Sequence, residues 1–163
     1  MASALLNWWD RSLFNKPIIF KKELLYHGTT YSYFSERIKT GSKYFEHIEK
    51  GLSGSEDKEV FFETNMKAAV SWACAFASRY KDQPVLVIVS TKRLRDLRRT
   101  VGSFWPYYRA DKIPKEDLVM VPLEFKNELW RNRVFLNPYR DLTDECKNKI
   151  VLAEVKLRSQ FIK

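Results

Sequence analysis

The chain is poor in the residues from which metal sites and disulfide frameworks are built. Its 163 residues include two cysteines, Cys74 and Cys146, and two histidines, His27 and His47. Four such groups scattered along the chain supply neither a disulfide scaffold nor a zinc ligand set, so no metal is expected. Cys74 lies in an apolar run with helical spacing and reads as core, and the low thiol count suits a reducing cytosol. Long apolar runs are also missing. The opening "MASALLNWWDRSLF" lacks the basic head and clean apolar stretch of a secretion signal, and no run reaches membrane-spanning length. The expectation is a cytoplasmic protein that does not engage a membrane. With five glycines there is no glycine-rich phosphate loop. No repeat or low-complexity linker divides the chain, so residues 1–163 read as one domain, large enough to bury a core.

Positive charge and aromatic rings are abundant. The net charge is +9, and aromatics make up 15% of the residues, with five tryptophans. That balance favours polyanionic partners, and the surplus of flat rings suggests stacking surfaces beyond the needs of a core.

Hydrophobic spacing gives a coarse order of elements. Residues 3–14 have the pattern of a short amphipathic helix, and a first strand is expected around 23–27. A helix follows over 32–40, stopped at Gly41. After the polar loop 51–58, residues 59–64 read as a strand. Asn65 or Thr64 then caps a helix over 66–80, with Ala69, Trp72, Ala73, Phe76 and Ala77 on its inner face. Residues 84–91 form a continuous apolar strand, expected at the centre of a sheet. Further strands are expected from Leu118, from Glu128 and over 148–159. The predicted class is α+β, with split antiparallel β-sheets and helices mostly in the N-terminal half.

Two stretches suggest chemistry. "LLYHGTT" runs a strand into His27-Gly28-Thr29, and "VFFET" runs Phe61-Phe62 into the helix carrying Trp72. A site for a flat cationic ring such as nicotinamide needs a residue without a side chain, so that backbone N–H and C=O reach the carboxamide. Gly28 fits that need. It also needs aromatic walls, which Phe61 or Phe62 and Trp72 can supply, and a neutral imidazole for a ribose hydroxyl, here His27.

With these motifs about 34 residues apart, residues 23–91 resemble the diphtheria-toxin-like branch of the ADP-ribosyltransferases, which includes the poly(ADP-ribose) polymerases. That branch opens on a strand ending His-Gly-Thr and continues with an aromatic pair entering a helix. The resemblance implies a split-sheet fold, NAD as substrate, and transfer of ADP-ribose with loss of nicotinamide. His27, Gly28, Thr29, Phe61, Phe62 and Trp72 would contact NAD, with Phe61 standing where tyrosine is usual.

The third element of the resemblance is a glutamate near the start of a late strand, which stabilises the oxocarbenium-like ribose. Glu128 is the first candidate, Glu124 the second, and Tyr107 or Tyr108 would replace the acid if 106–114 is the aligned strand. Catalysis is therefore assigned to His27 and Glu128.

Arg95, Arg98 and Arg99 fall on one side of a helix if 92–100 is helical. With Arg131, Arg133 and nearby rings they form an expected nucleic-acid surface. Small basic members of the family resemble bacterial or phage toxins held by an antitoxin. The expected activity is mono-ADP-ribosylation of RNA or DNA. The alternatives are a protein acceptor, an NAD-dependent RNA 2′-phosphotransferase, and a basic binding module of the same fold without turnover.

Overall fold

The computed structural model describes residues 23–37, 44–46, 60–93, 98–99, 108–110, 112–132 and 136–161. Strand β1 (Leu24–Thr30) passes directly into helix α1 (Tyr31–Arg37). Thr30 Oγ1 accepts from Tyr33 N–H at 3.4 Å and Asp82 accepts from Ser32 N–H at 3.0 Å, so the first turn is capped from two directions. Short strands β2 (Tyr44–Glu46) and β3 (Val60–Phe62) follow. Helix α2 (Met66–Tyr80) starts at Asn65, whose side chain accepts from the Lys67 and Ala68 N–H groups. Next come β4 (Pro84–Ser90), β5 (Arg98–Arg99), β6 (Tyr108–Ala110), β7 (Lys112–Pro114) and β8 (Leu118–Pro122). Two 3-10 turns, Glu128–Asn132 and Pro138–Asp141, lead to helix α3 (Asp144–Arg158), capped by Thr143.

The strands form three small antiparallel sheets, ordered β1-β4-β8, β2-β7 and β3-β6-β5. The architecture is α+β. Every residue of β4 is buried, as its unbroken apolar run leads one to expect for a central strand covered on both faces. On one face α2 and α3 close a core around Leu24, Tyr26, Ala73, Leu86, Ile88 and Ile150. On the other, Leu25, Phe62, Val87, Val89 and Ile113 form a second cluster. Among the described residues no helix is long and apolar enough to cross a membrane.

Several expectations are corrected. The first strand continues through Thr30, so His27 and Gly28 lie inside it rather than at its end. The C-terminal segment is helix α3, not a strand. Its buried residues Cys146, Ile150, Ala153 and Leu157 recur at helical spacing and outweigh its β-branched side chains. Helices therefore are not concentrated in the first half. Residues 128–132 are a 3-10 turn instead of a strand, and Arg98–Arg99 are a strand instead of a helix. The expected helix at 3–14 and His47 lie outside the described residues.

Cys74 and Cys146 are both buried. Burial, with the Asp141 carboxylate adding to it, pushes the Cys74 thiol up to about 12, and burial raises Cys146 as well. A thiol-exchange reagent at neutral pH is expected to leave the folded protein unlabelled and to titrate both thiols once it is unfolded. Prompt reaction of either thiol in the native state would contradict this core.

Candidate functional site

The site is built on one edge of β1. Tyr26 N–H donates to the Glu63 carbonyl and Glu63 N–H donates to the Tyr26 carbonyl, each at 2.8 Å. The opposite edge belongs to β4: Glu23 C=O accepts from Thr91 N–H and Tyr31 N–H donates to Gln83 C=O, both at 2.9 Å. Peptide groups of neighbouring residues in an antiparallel strand turn to opposite edges, and those of every second residue to the same one. The N–H and C=O of Gly28 therefore turn the same way as those of Tyr26, away from β4. Among the described residues β3 meets β1 only at the Tyr26–Glu63 bridge, so Gly28 lies just past the point where the two strands part.

Why this residue is glycine has a different answer from the expected one. A Cβ on Gly28 would lie 1.8 Å from the Ala69 carbonyl oxygen and 2.7 Å from the Ala73 nitrogen. The missing side chain lets α2 seat its backbone directly on β1. A ligand at this site would approach the strand edge, in the plane of the sheet, rather than the space that the side chain leaves.

Beside that edge stand Glu63 and Trp72. Trp72 Nε1 donates to Glu63 Oε1 at 2.8 Å. Glu63 Oε2 is buried and has no hydrogen-bond partner among the described residues. Trp72 is 39% exposed and stacks on Phe76, with ring centroids 5.7 Å apart and planes 25° apart. It lies at the flank of α2, not on the inner face the sequence suggested. Glu63 was not singled out in the sequence, where an acid between an aromatic strand and a helix cap reads as solvated. Its signal is weak: a carboxylate just ahead of a helix N-terminus, nine residues before the indole it holds.

Burial holds the Glu63 carboxyl above the ordinary glutamate range, while the Trp72 hydrogen bond pulls it down. A carboxyl raised by folding contributes stability below its unfolded pKa of about 4.3, and that contribution is lost as pH rises through the folded value. Glu63→Gln, neutral throughout, is expected to match wild type at about pH 4 and to gain in Tm over it as pH rises. A constant difference across that range would show that the carboxylate is solvated.

His27 lies on the opposite face of β1 from α2. It is half-buried, with its ring centroid 5.8 Å from that of Phe62 at a 58° tilt. Thr29 shares this face and is buried, its hydroxyl lacking a hydrogen-bond partner among the described residues. Phe62 is fully buried in the second cluster, so it is a core residue and not a stacking wall. The backbone of Phe61 pairs with Arg109, and its side chain lies outside the described residues. The edge of Gly28 is thus flanked by His27 and Thr29 from one face and by Glu63 and Trp72 from the other.

The remaining expected residues lie elsewhere. Glu128 is exposed in its 3-10 turn and pairs with Arg131 at 2.6 Å. It lines a cleft of about 350 Å³ with Lys81, Asp82, Gln83 and Trp130, at the start of β4. Glu124 is exposed after β8 and pairs with Lys149 at 3.8 Å. Neither acid begins a strand, and neither joins the Gly28 edge. Tyr108 does lie on a strand, its backbone paired with Phe62 on β3. Tyr107, Arg95 and Arg133 are outside the described residues, as are the side chains of Arg98 and Arg99, and helical grouping does not apply to the last two. Arg131 lies over the Trp130 ring at 4.5 Å. A second meeting of ring and cation occurs at Tyr139, with Lys67 and Lys147 at 5.5 and 5.2 Å from its centroid. The start of α2 offers no phosphate cradle, because Asn65 already takes its first free N–H groups.

Comparison with protein-family models, with curated proteins and with solved structures returned no match to this chain.

Proposed function

We propose that the chain is an NAD-dependent mono-ADP-ribosyltransferase whose nicotinamide site is the β1 edge at Gly28. The observation that carries this reading is the direction of the Gly28 peptide groups. They turn to the side where β1 and β3 part, the side of Glu63, whose carboxylate holds the Trp72 indole. A carboxamide needs one donor and one acceptor in a line, and a strand edge offers that pair with no side chain in the way. The flanking indole gives the ring a surface to lie on. His27, on the neighbouring residue, is placed to meet a ribose hydroxyl from the other face.

In this reading the bond between ribose C1′ and the nicotinamide nitrogen breaks. Its electron pair leaves with the nicotinamide, which departs neutral. An acceptor nucleophile attacks C1′ and gives up its proton, leaving ADP-ribose on the acceptor. The acid expected at Glu128 or Glu124 stands away from the edge, which favours transfer of a single unit. The same observation favours a second reading, a basic binding module of this fold without turnover. Nucleic acid is the preferred acceptor on the charge of +9 and on the Tyr139 ring between two lysines. An antitoxin partner is proposed on the resemblance alone.

The test is incubation with NAD labelled in the adenylate phosphate, with RNA, single-stranded DNA and lysate protein in separate tubes. Wild type is run beside His27→Ala. Label is expected in a nucleic-acid pool and is expected to depend on His27. Label only in protein would move the acceptor. Label nowhere, with no nicotinamide released, would leave the binding module as the better reading.

A further inference from the structure

Glu63 is a carboxylate that the fold leaves half satisfied. Its Oε1 is fixed by Trp72 Nε1 at 2.8 Å, and its Oε2 is buried with no hydrogen-bond partner among the described residues. Among the described residues no lysine, arginine or histidine pairs with it. A half-buried carboxylate in that condition either holds a proton or meets a cation from beyond the described residues, and a bound ligand can supply one. The side on which a cation would arrive is set by the backbone. Glu63 is bridged to Tyr26, and Gly28 lies two residues farther along the same strand edge. The indole that holds Glu63 keeps 39% of its surface exposed and is stiffened by its stack on Phe76. Carboxylate, ring face and peptide edge together describe a slot for a flat cation, bound by charge from Glu63 and by contact with Trp72.

We propose that Glu63 is the charge-selecting residue of this slot, favouring a planar heteroaromatic cation over the same ring in its neutral form. The inference rests on the assignment of the Gly28 edge to nicotinamide, and it adds a specificity that assignment does not contain. The oxidised pyridinium of NAD carries one positive charge on the ring, and the dihydropyridine of NADH carries none. The rest of the two molecules is the same, so their ratio of affinities isolates the ring charge. A unit pair about 5 Å apart in a partly solvated site supports a preference of roughly ten- to a hundredfold. Trp72 adds a smaller preference of the same sign through cation–π attraction, and that part does not depend on Glu63.

The experiment is calorimetric titration of the full chain with NAD and NADH, and with the isolated rings N1-methylnicotinamide (cationic) and nicotinamide (neutral). Wild type is compared with Glu63→Gln, whose amide oxygen still accepts the Trp72 hydrogen bond. Wild type is expected to prefer the oxidised dinucleotide and the cationic ring by about ten- to a hundredfold. Glu63→Gln is expected to lower both ratios to the few-fold preference that Trp72 leaves, while retaining NADH affinity. Equal affinity of wild type for charged and neutral rings overturns the proposal without any variant being needed. A ratio undiminished in Glu63→Gln overturns it too, with the nicotinamide assignment left standing. Binding of none of the four probes to wild type removes that assignment and the proposal together.

Discussion

Replacing Gly28 with alanine is expected to cost at least about 3 kcal/mol and to lower Tm by roughly 10 °C or more, if a cooperative fold survives at all. The new Cβ would meet a backbone oxygen at 1.8 Å and a backbone nitrogen at 2.7 Å. No rotamer change relieves a contact between two main chains, so α2 as a whole would have to lift from β1. Lifting it opens the packing of Ala69, Ala73 and Ala77, all with no exposed surface, against the sheet. Small side chains on α2 are part of the same device, since they allow the helix backbone to come this close. Ala69→Gly and Ala73→Gly are therefore expected not to rescue the variant, because the clash is not with their side chains. Thermal unfolding followed by circular dichroism checks both points. An unchanged Tm for Gly28→Ala would mean that α2 does not sit on β1 as described.

Phe62→Ala and Trp72→Ala are expected to separate stability from ligand binding. Phe62 is fully buried against Leu25, Val87, Val89 and Ile113, and truncating it should cost about 3–5 kcal/mol in unfolding free energy. Because it contributes no surface to the Gly28 edge and meets the site only through the His27 ring, NAD affinity of the protein that remains folded should fall less than in Trp72→Ala. Trp72 is 39% exposed on the flank of α2. Its removal should cost less stability than Phe62→Ala, through the lost Phe76 stack and Glu63 hydrogen bond, but weaken NAD binding by about 1–3 kcal/mol, or roughly ten- to a hundredfold. Calorimetry and denaturant unfolding on the same two variants give the comparison. Loss of NAD affinity in Phe62→Ala with none in Trp72→Ala would place the ring on the other face of β1.

The parts of the molecule legible in the sequence are those in which a single period decides the structure. Helix α2 shows its face at every third or fourth residue from Ala69 to Ala77 and has a capping asparagine. Strand β4 is apolar without a break. Both ran true to their boundaries within a residue. Helix α3 was misread because Ile150, Val151 and Val155 favour strands as residue types, while the spacing of Cys146, Ile150, Ala153 and Leu157 already carried the helical repeat. Residues 128–132 carry Leu129 and Trp130 side by side with no alternation to support a strand, and Trp130 is drawn into the core beneath Phe125, with ring centroids 5.0 Å apart, by a tight turn.

In the candidate site, Gly28 and Trp72 were legible as residues of interest, though for partly different reasons. Gly28 admits a helix rather than a ligand through its missing side chain, and its peptide edge is a property of strand pairing, which no local motif reveals. Phe61 and Phe62 could not be told apart in sequence because a strand sends neighbours to opposite faces. Glu63 stayed hidden for a similar reason. Its importance comes from the bridge to Tyr26, 37 positions away, and from a buried carboxylate oxygen that has no hydrogen-bond partner among the described residues.

The most direct test of the Gly28 edge uses the amide itself. His27-Gly28 is the one histidine–glycine step in the chain, since His47 precedes Ile48. Protein labelled with carbonyl carbon-13 in histidine and nitrogen-15 in glycine therefore gives a single correlation, belonging to the Gly28 N–H. Titrating nicotinamide and then NAD is expected to move that peak or replace it with another as the amide takes on the carboxamide oxygen. A peak that stays in place at saturating ligand, with binding registered elsewhere on the protein, would contradict the site at its centre.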